Sequence, residues 1–441
     1  MVKIMNRKTC LFKTLGCKVN QCETQAMMEE LERAGFLISG NSKADVHIIN
    51  TCVVTAKAEK ESLYTISKII KDSPGSEVVV VGCLVNARPE IADEIPGVRF
   101  FAGNEDKKNI LESPGLKNKV SHGHGGINRL HKRTRAFVKI QDGCNHFCSY
   151  YIVPYVGGGE RNRSKSEILE EIKRLGDNGC KEIVLTGINL GRYGKEQDGG
   201  CGVQGSRNKS KNTQRSTGLI DLIRQVEKID KIERIGLSSI EPQEIDGSLI
   251  NLIAGSDKMC KYLHIPLQSG DDETLKTMGR TYTAGSYKDL ILEMRSRIPD
   301  IAITTDVIAG FPAETEDAFR NSFNFISDMQ FAKIHIFRYS HRNGAAASIF
   351  GGVGESVKKK RCEELFALAK IQARNYRKCF IGKTLSVLVE KSGKGGYLNG
   401  LSSNYIRVFF KGTVGLQNKI VPVVIEGLNE DGVLGSMVKA V

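Results

Sequence analysis

The most constraining feature of this chain is an alternation of short apolar runs with amphipathic segments, in which each apolar run ends at a cysteine, a glycine or a polar motif. In the first third, Cys10–Thr14 leads into Leu15-Gly16-Cys17, Val46–Asn50 into Thr51-Cys52, and Val78–Val81 into Gly82-Cys83. Helical periodicity fills the intervals at Glu23–Ala34 and Thr55–Ile70. Such alternation predicts a parallel, doubly wound sheet whose strands deliver their carboxyl ends to one crevice. Three cysteines far apart in sequence are therefore expected at one edge, and glycine before Cys17 and Cys83 lets the backbone turn there. Three thiolates suit an iron–sulfur cluster with one open iron, or a zinc ion with one further ligand. No histidine follows a comparable strand, which favours the cluster. Cys10 and Cys22 read as structural thiols. Asn20 and Asn50 beside the site serve turns and caps at least as readily as chemistry.

From Ala136 the alternation resumes on a larger scale. Strands are predicted at 136–140, 182–186, 234–238, 262–266, 301–308 and 332–337, with the clearest helices at Ser164–Asn178 and Thr315–Met329. Ser164 and Glu167 have capping-box spacing, and Gly179 is placed to stop the helix. The pattern predicts a partial or full β/α barrel with its chemistry at the strand ends. Polar motifs do follow the strands: DGCNHFCSYYIVPY (142–155), TGINLGRYG (186–194), SSIEP (238–242), HIPLQSGDD (264–272), DVIAGFP (306–312) and FRYSHRNG (337–344). In the first of these, Cys144, Cys148 and Tyr151 form C-x3-C-x2-Y, where C-x3-C-x2-C would hold three irons of a [4Fe–4S] cluster. Leu116–Arg135 reads as a linker, with His122 and His124 as solvated loop residues, and Glu196–Thr217 as a polar insertion.

A basic amphipathic helix, Val357–Phe380, leads into the last sixty residues, which carry alternating strands at 385–390, 404–410, 420–427 and 432–438. These predict a small antiparallel barrel of a kind that often binds RNA. Tyr397, Tyr405, Arg407 and Phe409 are candidate RNA contacts, although such a stripe equally suits a core. A net charge of +14 over 441 residues, with a pI near 9.1, fits an anionic partner such as nucleic acid, or a basic enzyme without one. No apolar run is long enough to span a bilayer and the start lacks a signal-peptide core, so a cytoplasmic location is expected. Twelve scattered cysteines do not make a disulfide scaffold.

The stretches TLGCKVNQCETQ (14–25), NTCVVTAKAEKES (50–62), VVGCLVN (80–86) and IVLTGINLGRYG (183–194) carry a resemblance covering essentially the whole chain. The sequence is similar to the methylthiotransferases of the radical S-adenosylmethionine superfamily. LGCKVNQ followed by NTCVVT is most like the branch that acts on N6-threonylcarbamoyladenosine beside the tRNA anticodon, at position 37. The resemblance implies three domains: an N-terminal methylthiotransferase domain (8–120), a radical-SAM barrel (130–375, with the insertion at about 196–217) and a TRAM RNA-binding barrel (380–441). It implies two [4Fe–4S] clusters, an auxiliary one on Cys17, Cys52 and Cys83 and a radical one on Cys144 and Cys148. It also implies S-adenosylmethionine cradled by Tyr150, Ser238, Ser239, Glu241 and Gly310, with Tyr405 and Arg407 toward RNA. The implied chemistry is hydrogen abstraction from adenine C2 by a 5′-deoxyadenosyl radical, sulfur from the auxiliary cluster, and a methyl from a second S-adenosylmethionine. Implied partners are the tRNA anticodon stem-loop and an electron donor such as flavodoxin or ferredoxin, with no membrane.

The chain departs from the family pattern at named positions. Tyr151 replaces the third cluster cysteine, Gly157 and Gly159 stand where arginines are usual, Gly236 replaces another arginine, and FRYSHRNGAAAS replaces a proline-rich segment. A phenol is a poor substitute for a thiolate on iron, and neither Cys201 nor His146 is well placed to stand in. These departures imply an alternative: a tRNA-binding family member with impaired radical chemistry.

Overall fold

The computed structural model describes residues 8–40, 43–107, 110, 126–128, 130, 134–195, 217–312, 314–341, 346–392 and 394–438. The expected linker therefore lies mostly, and the insertion almost wholly, outside the described residues.

The first body comprises β1 (Thr9–Thr14), α1 (Lys18–Arg33), β2 (Leu37–Ile38), β3 (Val46–Thr51), α2 (Ala56–Asp72), β4 (Glu77–Gly82), α3 (Cys83–Ala87), α4 (Ile91–Glu94) and β5 (Phe100–Ala102). All pairings are parallel, in the order β2-β1-β3-β4-β5. Strand residues alternate between two cores, as period two requires. Phe12, Val46, Ile48, Val79 and Val81 pack with Met27 and Leu31 of α1. Ile49, Val78 and Val80 pack with Ile66 and Ile69 of α2 on the other face. The sheet is thus doubly wound, and its order reverses between β1 and β3, the place where such sheets open a crevice. Helix α1 starts at Lys18, five residues before the apolar stripe indicated. Its first turn is held by buried Asn20 rather than by a hydrophobic stripe, which is why periodicity missed it.

The second body runs through β6 (Arg135–Lys139), β7 (Gln141–Asp142), α5 (Val153–Gly157), β8 (Arg161–Asn162), α6 (Lys165–Asp177), β9 (Glu182–Thr186), α7 (Thr217–Glu227) and β10 (Arg234–Leu237). It continues with α8 (Gly247–Gly255), β11 (Tyr262–His264), α9 (Asp272–Thr277), α10 (Ala284–Arg297), β12 (Ala302–Ala309), α11 (Glu316–Met329), β13 (Lys333–Arg338) and α12 (Glu355–Lys378). Two parallel half-sheets, β10-β9-β6 and β11-β12-β13, are linked by the bridges Ile235–Met259 and Ser239–His264. The result is an open six-stranded barrel with β6 and β13 at its free edges, and α1 of the first body packs against β6. Ser164 caps α6 by accepting the Glu167 N–H at 3.3 Å, and Gly179 follows at φ +82°.

The third body is a closed barrel, β14 (Thr384–Ser392), β15 (Tyr397–Ser402), β16 (Arg407–Lys411), β17 (Ile420–Asn429) and β18 (Gly432–Met437), in the order β14-β15-β16-β18-β17. Two expectations change. A strand over Tyr397–Ser402, whose Asn-Gly suggests a turn, completes the barrel, and the β16–β18 pairing is parallel.

The expectation for Tyr405 is also corrected. It precedes β16 at φ +57°, with its ring 4.4 Å from that of Tyr262 and its hydroxyl donating to Glu182 at 2.9 Å. A Cβ on Gly236 would lie 2.2 Å from that hydroxyl, so the glycine at this position admits Tyr405. Beside it, the Arg234 guanidinium donates to the carbonyls of Leu401 and Ser386. Tyr405 is therefore a plug between bodies and not a stacking surface for RNA. Arg407 is part-exposed and bonded to Asn399 and Glu390.

Candidate active site

The three strand ends of the first body are stapled together. Asn20 Nδ2 donates to the carbonyls of Leu15 and Thr51 at 2.8 and 2.9 Å, and Asn50 Nδ2 to Asn20 O and Thr24 Oγ1. Thr51 Oγ1 donates to Val81 O at 2.7 Å and accepts from Leu84 N–H. Both asparagines thus serve the scaffold. Gly16 has φ +94°, and a Cβ there would stand 2.5 Å from Cys52 Cβ, so only glycine lets the Cys17 turn approach Cys52.

Cys17, Cys52 and Cys83 consequently share one edge, with Cys52 in the electrostatic field of the other two. Burial pushes the Cys52 thiol up to about 12. A thiol buried in this way ionises only against added positive charge, which an iron–sulfur core supplies. No three Cys, His, Asp or Glu side chains among the described residues form a site for a single ion. The donor set, three convergent sulfurs on stapled strand ends, fits a cluster.

The loop after β6 leaves the barrel through Gly143, at φ +69°, where a Cβ would lie 2.1 Å from Gly159 O. Ser149 anchors it by donating to Met278 O and Thr277 O and accepting from Ala347 N–H. Asn104 spans the two bodies, with Nδ2 3.6 Å from Cys83 Sγ and 2.9 Å from Val156 O of α5. Cys144 and Cys148 are buried, and burial raises both thiols, Cys144 to about 11. Burial also pushes the Tyr151 hydroxyl well above the ordinary tyrosine value, and Cys17, Cys144 and Cys52 push in the same direction. Tyr151 therefore stands between the two cysteine groups as a neutral phenol. Two thiols and a phenol do not match the three-thiolate set of a radical cluster.

A cavity of about 220 Å³ opens beside this loop, walled by Cys144, Cys148, Tyr150 and Tyr151, by Val54 and Thr55 of the first body, by Asn189, Ser239, Glu241 and Gln268 of the loops after the strands, by Asp306 of β12 and by Arg280 after α9. Of the cofactor residues expected from sequence, Tyr150, Ser239 and Glu241 line it. Ser238 is buried just behind, and Gly310 is elsewhere. The Gly310 N–H donates to Glu314, and a Cβ on it would meet Lys358 of α12, so its role is to seat that helix. Sequence reasoning missed Asn189, Gln268, Asp306 and Arg280. The first three lie inside strand-end motifs whose polar positions offered the signal; Arg280 follows α9 outside any of them.

Electrostatically the cavity is mixed. Arg280 donates to Glu241 at 2.7 Å and its guanidinium lies 5.7 Å from the Tyr150 ring centre. His264 Nε2 is 3.2 Å from Asp306 Oδ1, its Nδ1 is 2.9 Å from Thr304 Oγ1, and Thr304 reaches Tyr262. Ser238 Oγ, Asn189 Oδ1, Arg280 Nε and Tyr339 OH are buried without hydrogen-bond partners among the described residues. Unsatisfied groups of both kinds around an apolar-and-charged hollow are what a zwitterionic, nucleoside-bearing ligand would complete.

Two family models match the chain, the uncharacterised protein family UPF0004 over residues 9–103 and the radical SAM superfamily over 138–326. The threonylcarbamoyladenosine tRNA methylthiotransferase MtaB of Bacillus subtilis is 35% identical over 437 residues, covering 95% of this chain and 93% of the relative. Its namesake from Thermotoga maritima is 35% identical, covering 97% and 96%. The chain belongs to the radical SAM methylthiotransferases. A further member, the tRNA-2-methylthio-N(6)-dimethylallyladenosine synthase of Desulfitobacterium hafniense, is 32% identical, covering 94% of each chain. The radical S-adenosylmethionine methyltransferase TsrM from Kitasatospora setae shares the fold at TM-score 0.53 and 13% identity, covering 78% of this chain and 77% of that one. Membership makes the protein a transferase and implies a [4Fe–4S] cluster and S-adenosylmethionine. The cavity fits the latter. At the radical loop this methylthiotransferase departs from its family at Tyr151.

Proposed function

We propose that this protein adds a methylthio group to C2 of N6-threonylcarbamoyladenosine at position 37 of tRNA. The observation that carries the reading is full-length identity of 35% to methylthiotransferases named for that nucleoside, in a chain whose N-terminal cysteine trio is complete. In this reading Cys17, Cys52 and Cys83 hold the auxiliary cluster, which when bound supplies sulfur next to the cavity. Glu241, paired with Arg280, and the unpaired Ser238 Oγ and Asn189 Oδ1 orient S-adenosylmethionine. Tyr150, backed edge to face at 6.4 Å by the fully buried Phe311, gives its adenine an apolar wall. Val54 and Thr55 close the cavity from the first body and help exclude water from a reactive radical. The positive chain attracts the anticodon stem-loop, reduction comes from flavodoxin or ferredoxin, and the setting is the cytoplasm.

Tyr151 favours a second reading, a family member that binds tRNA and the auxiliary cluster with its radical chemistry impaired. Mass spectrometry of tRNA from cells carrying this protein as their single methylthiotransferase separates the two. The 2-methylthio form of the threonylcarbamoyl nucleoside is the expected product. Its absence, with the unmethylthiolated nucleoside intact, establishes the second reading instead.

A further inference from the structure

Two aromatic side chains stand exposed where the radical loop meets the mouth of the cavity. Phe147 lies between His146 and Cys148, which both line the cavity, yet is itself 65% exposed. Tyr155 on α5 is 57% exposed, and the two rings meet edge to face, with centroids 5.6 Å apart and planes at 69°. Among the described residues no other aromatic pair in contact has both rings exposed. The backbone beneath the pair is fixed. Ser149 ties the loop to Thr277, Met278 and Ala347. Val153, Pro154 and Val156 bury the inner face of α5, and Asn104 of the first body donates to the Val156 carbonyl at 2.9 Å. Single exposed apolar residues are ordinary on a protein surface, but an aromatic pair held on anchored backbone beside a cavity is a recognition surface.

A nucleotide whose base is to reach the cofactor in this cavity must leave its stack, and its neighbours then lose a stacking partner. Exposed rings replace that partner, and they do so without regard to sequence because every base has a π face. Charge fits the same occupant. The chain carries +14, and Arg338, exposed in an ion pair with Glu355 at 3.5 Å, lines the same cavity. Phe337 beside it, at the end of β13, is exposed as well, so exposed aromatics come to the mouth from the loops of both edge strands, β6 and β13. We propose that Phe147 and Tyr155 form a stacking platform for an unpaired base of the RNA loop next to the target nucleotide. This rests on the reading of tRNA as the substrate and adds to it the surface that receives the flanking base.

The test is equilibrium binding by the full chain, read by fluorescence anisotropy, of an anticodon stem-loop hairpin and of a blunt RNA duplex with the same number of phosphates. The wild type should prefer the hairpin. Phe147→Leu and Tyr155→Leu should each weaken hairpin binding about five- to a hundredfold, the worth of one base-on-ring stack. Both should leave duplex binding and the salt dependence unchanged, since neither ring carries charge. Phe147→Tyr and Tyr155→Phe keep a ring and should bind the hairpin as the wild type does. A hairpin with an abasic residue on each side of the target nucleotide makes the same cut in the RNA. The wild type should bind it more weakly by a similar factor, and the leucine variants should bind it as they bind the intact hairpin. Leucine variants that hold the intact hairpin as tightly as the wild type overturn the platform, leave the tRNA reading standing and return the pair to another partner, such as a protein electron donor. If a leucine variant loses hairpin and duplex alike, its fold has changed, and the abasic hairpin on the wild type decides: undiminished affinity rejects the platform. A wild type indifferent between hairpin and duplex rejects the tRNA reading itself.

Discussion

Tyr151 shows how one side chain can separate a preserved scaffold from its chemistry. Its amide still donates to Cys148 O at 3.1 Å, so the loop keeps its turn. What changes is the ligand, from a sulfur that ionises readily beside iron to a phenol that burial holds neutral. Tyr151→Cys restores the three-thiolate set, and anaerobic reconstitution should then load about four more irons per chain, one additional cluster. Iron and sulfide assays check this, and reductive cleavage of S-adenosylmethionine should rise with them. Equal iron in both proteins would show that Tyr151 does not limit the site.

Among elements, the junction between the strand starts of the middle barrel and the C-terminal barrel is held by a buried polar cluster. Glu182 is fully buried at the start of β9, with Arg135 and Arg234 within 4 Å and the Tyr405 hydroxyl at 2.9 Å. Tyr405→Phe removes one donor to a buried carboxylate and should lower stability by about 1–3 kcal/mol, read in thermal unfolding. It should leave tRNA affinity unchanged, because the ring faces Tyr262 and not solvent. A selective loss of tRNA affinity without loss of stability would return Tyr405 to the RNA surface.

Across the whole molecule, the first body is clasped to the middle barrel through Glu23, which bonds Lys107 at 2.7 Å and Lys139 of β6 at 2.8 Å. Burial alone would raise this carboxyl; the two ammonium groups outweigh it and hold it below the ordinary 4.5. A depressed folded-state pKa means stability that is fully present above the ordinary carboxylate value and is lost as pH falls through the folded one. Docking should therefore weaken below about pH 4.5, in parallel with loss of the wall formed by Val54 and Thr55. Glu23→Gln should cost about 3 kcal/mol near neutral pH, since it strands the buried Lys107 ammonium while Lys139 keeps Asp142, and should flatten the acid limb of the stability profile. Melting temperatures of both proteins from pH 3 to 7 check it; parallel profiles would remove Glu23 from the clasp.

The sequence by itself determined the strand-ending pattern, because apolar period and glycine placement are local properties. It located the strands of the middle barrel to within two residues, brought Cys17, Cys52 and Cys83 to one edge, and exposed Tyr151 as a departure within C-x3-C-x2-Y. Tertiary structure decided what depends on which surfaces meet. Tyr405 lay in a stripe that read equally as core or as RNA face, and only the vacancy at Gly236 made it a plug between bodies. Gly310 matched a cofactor motif, yet the packing of Lys358 makes it a helix seat. The parallel β16–β18 pairing follows from closing the barrel, which no single strand encodes.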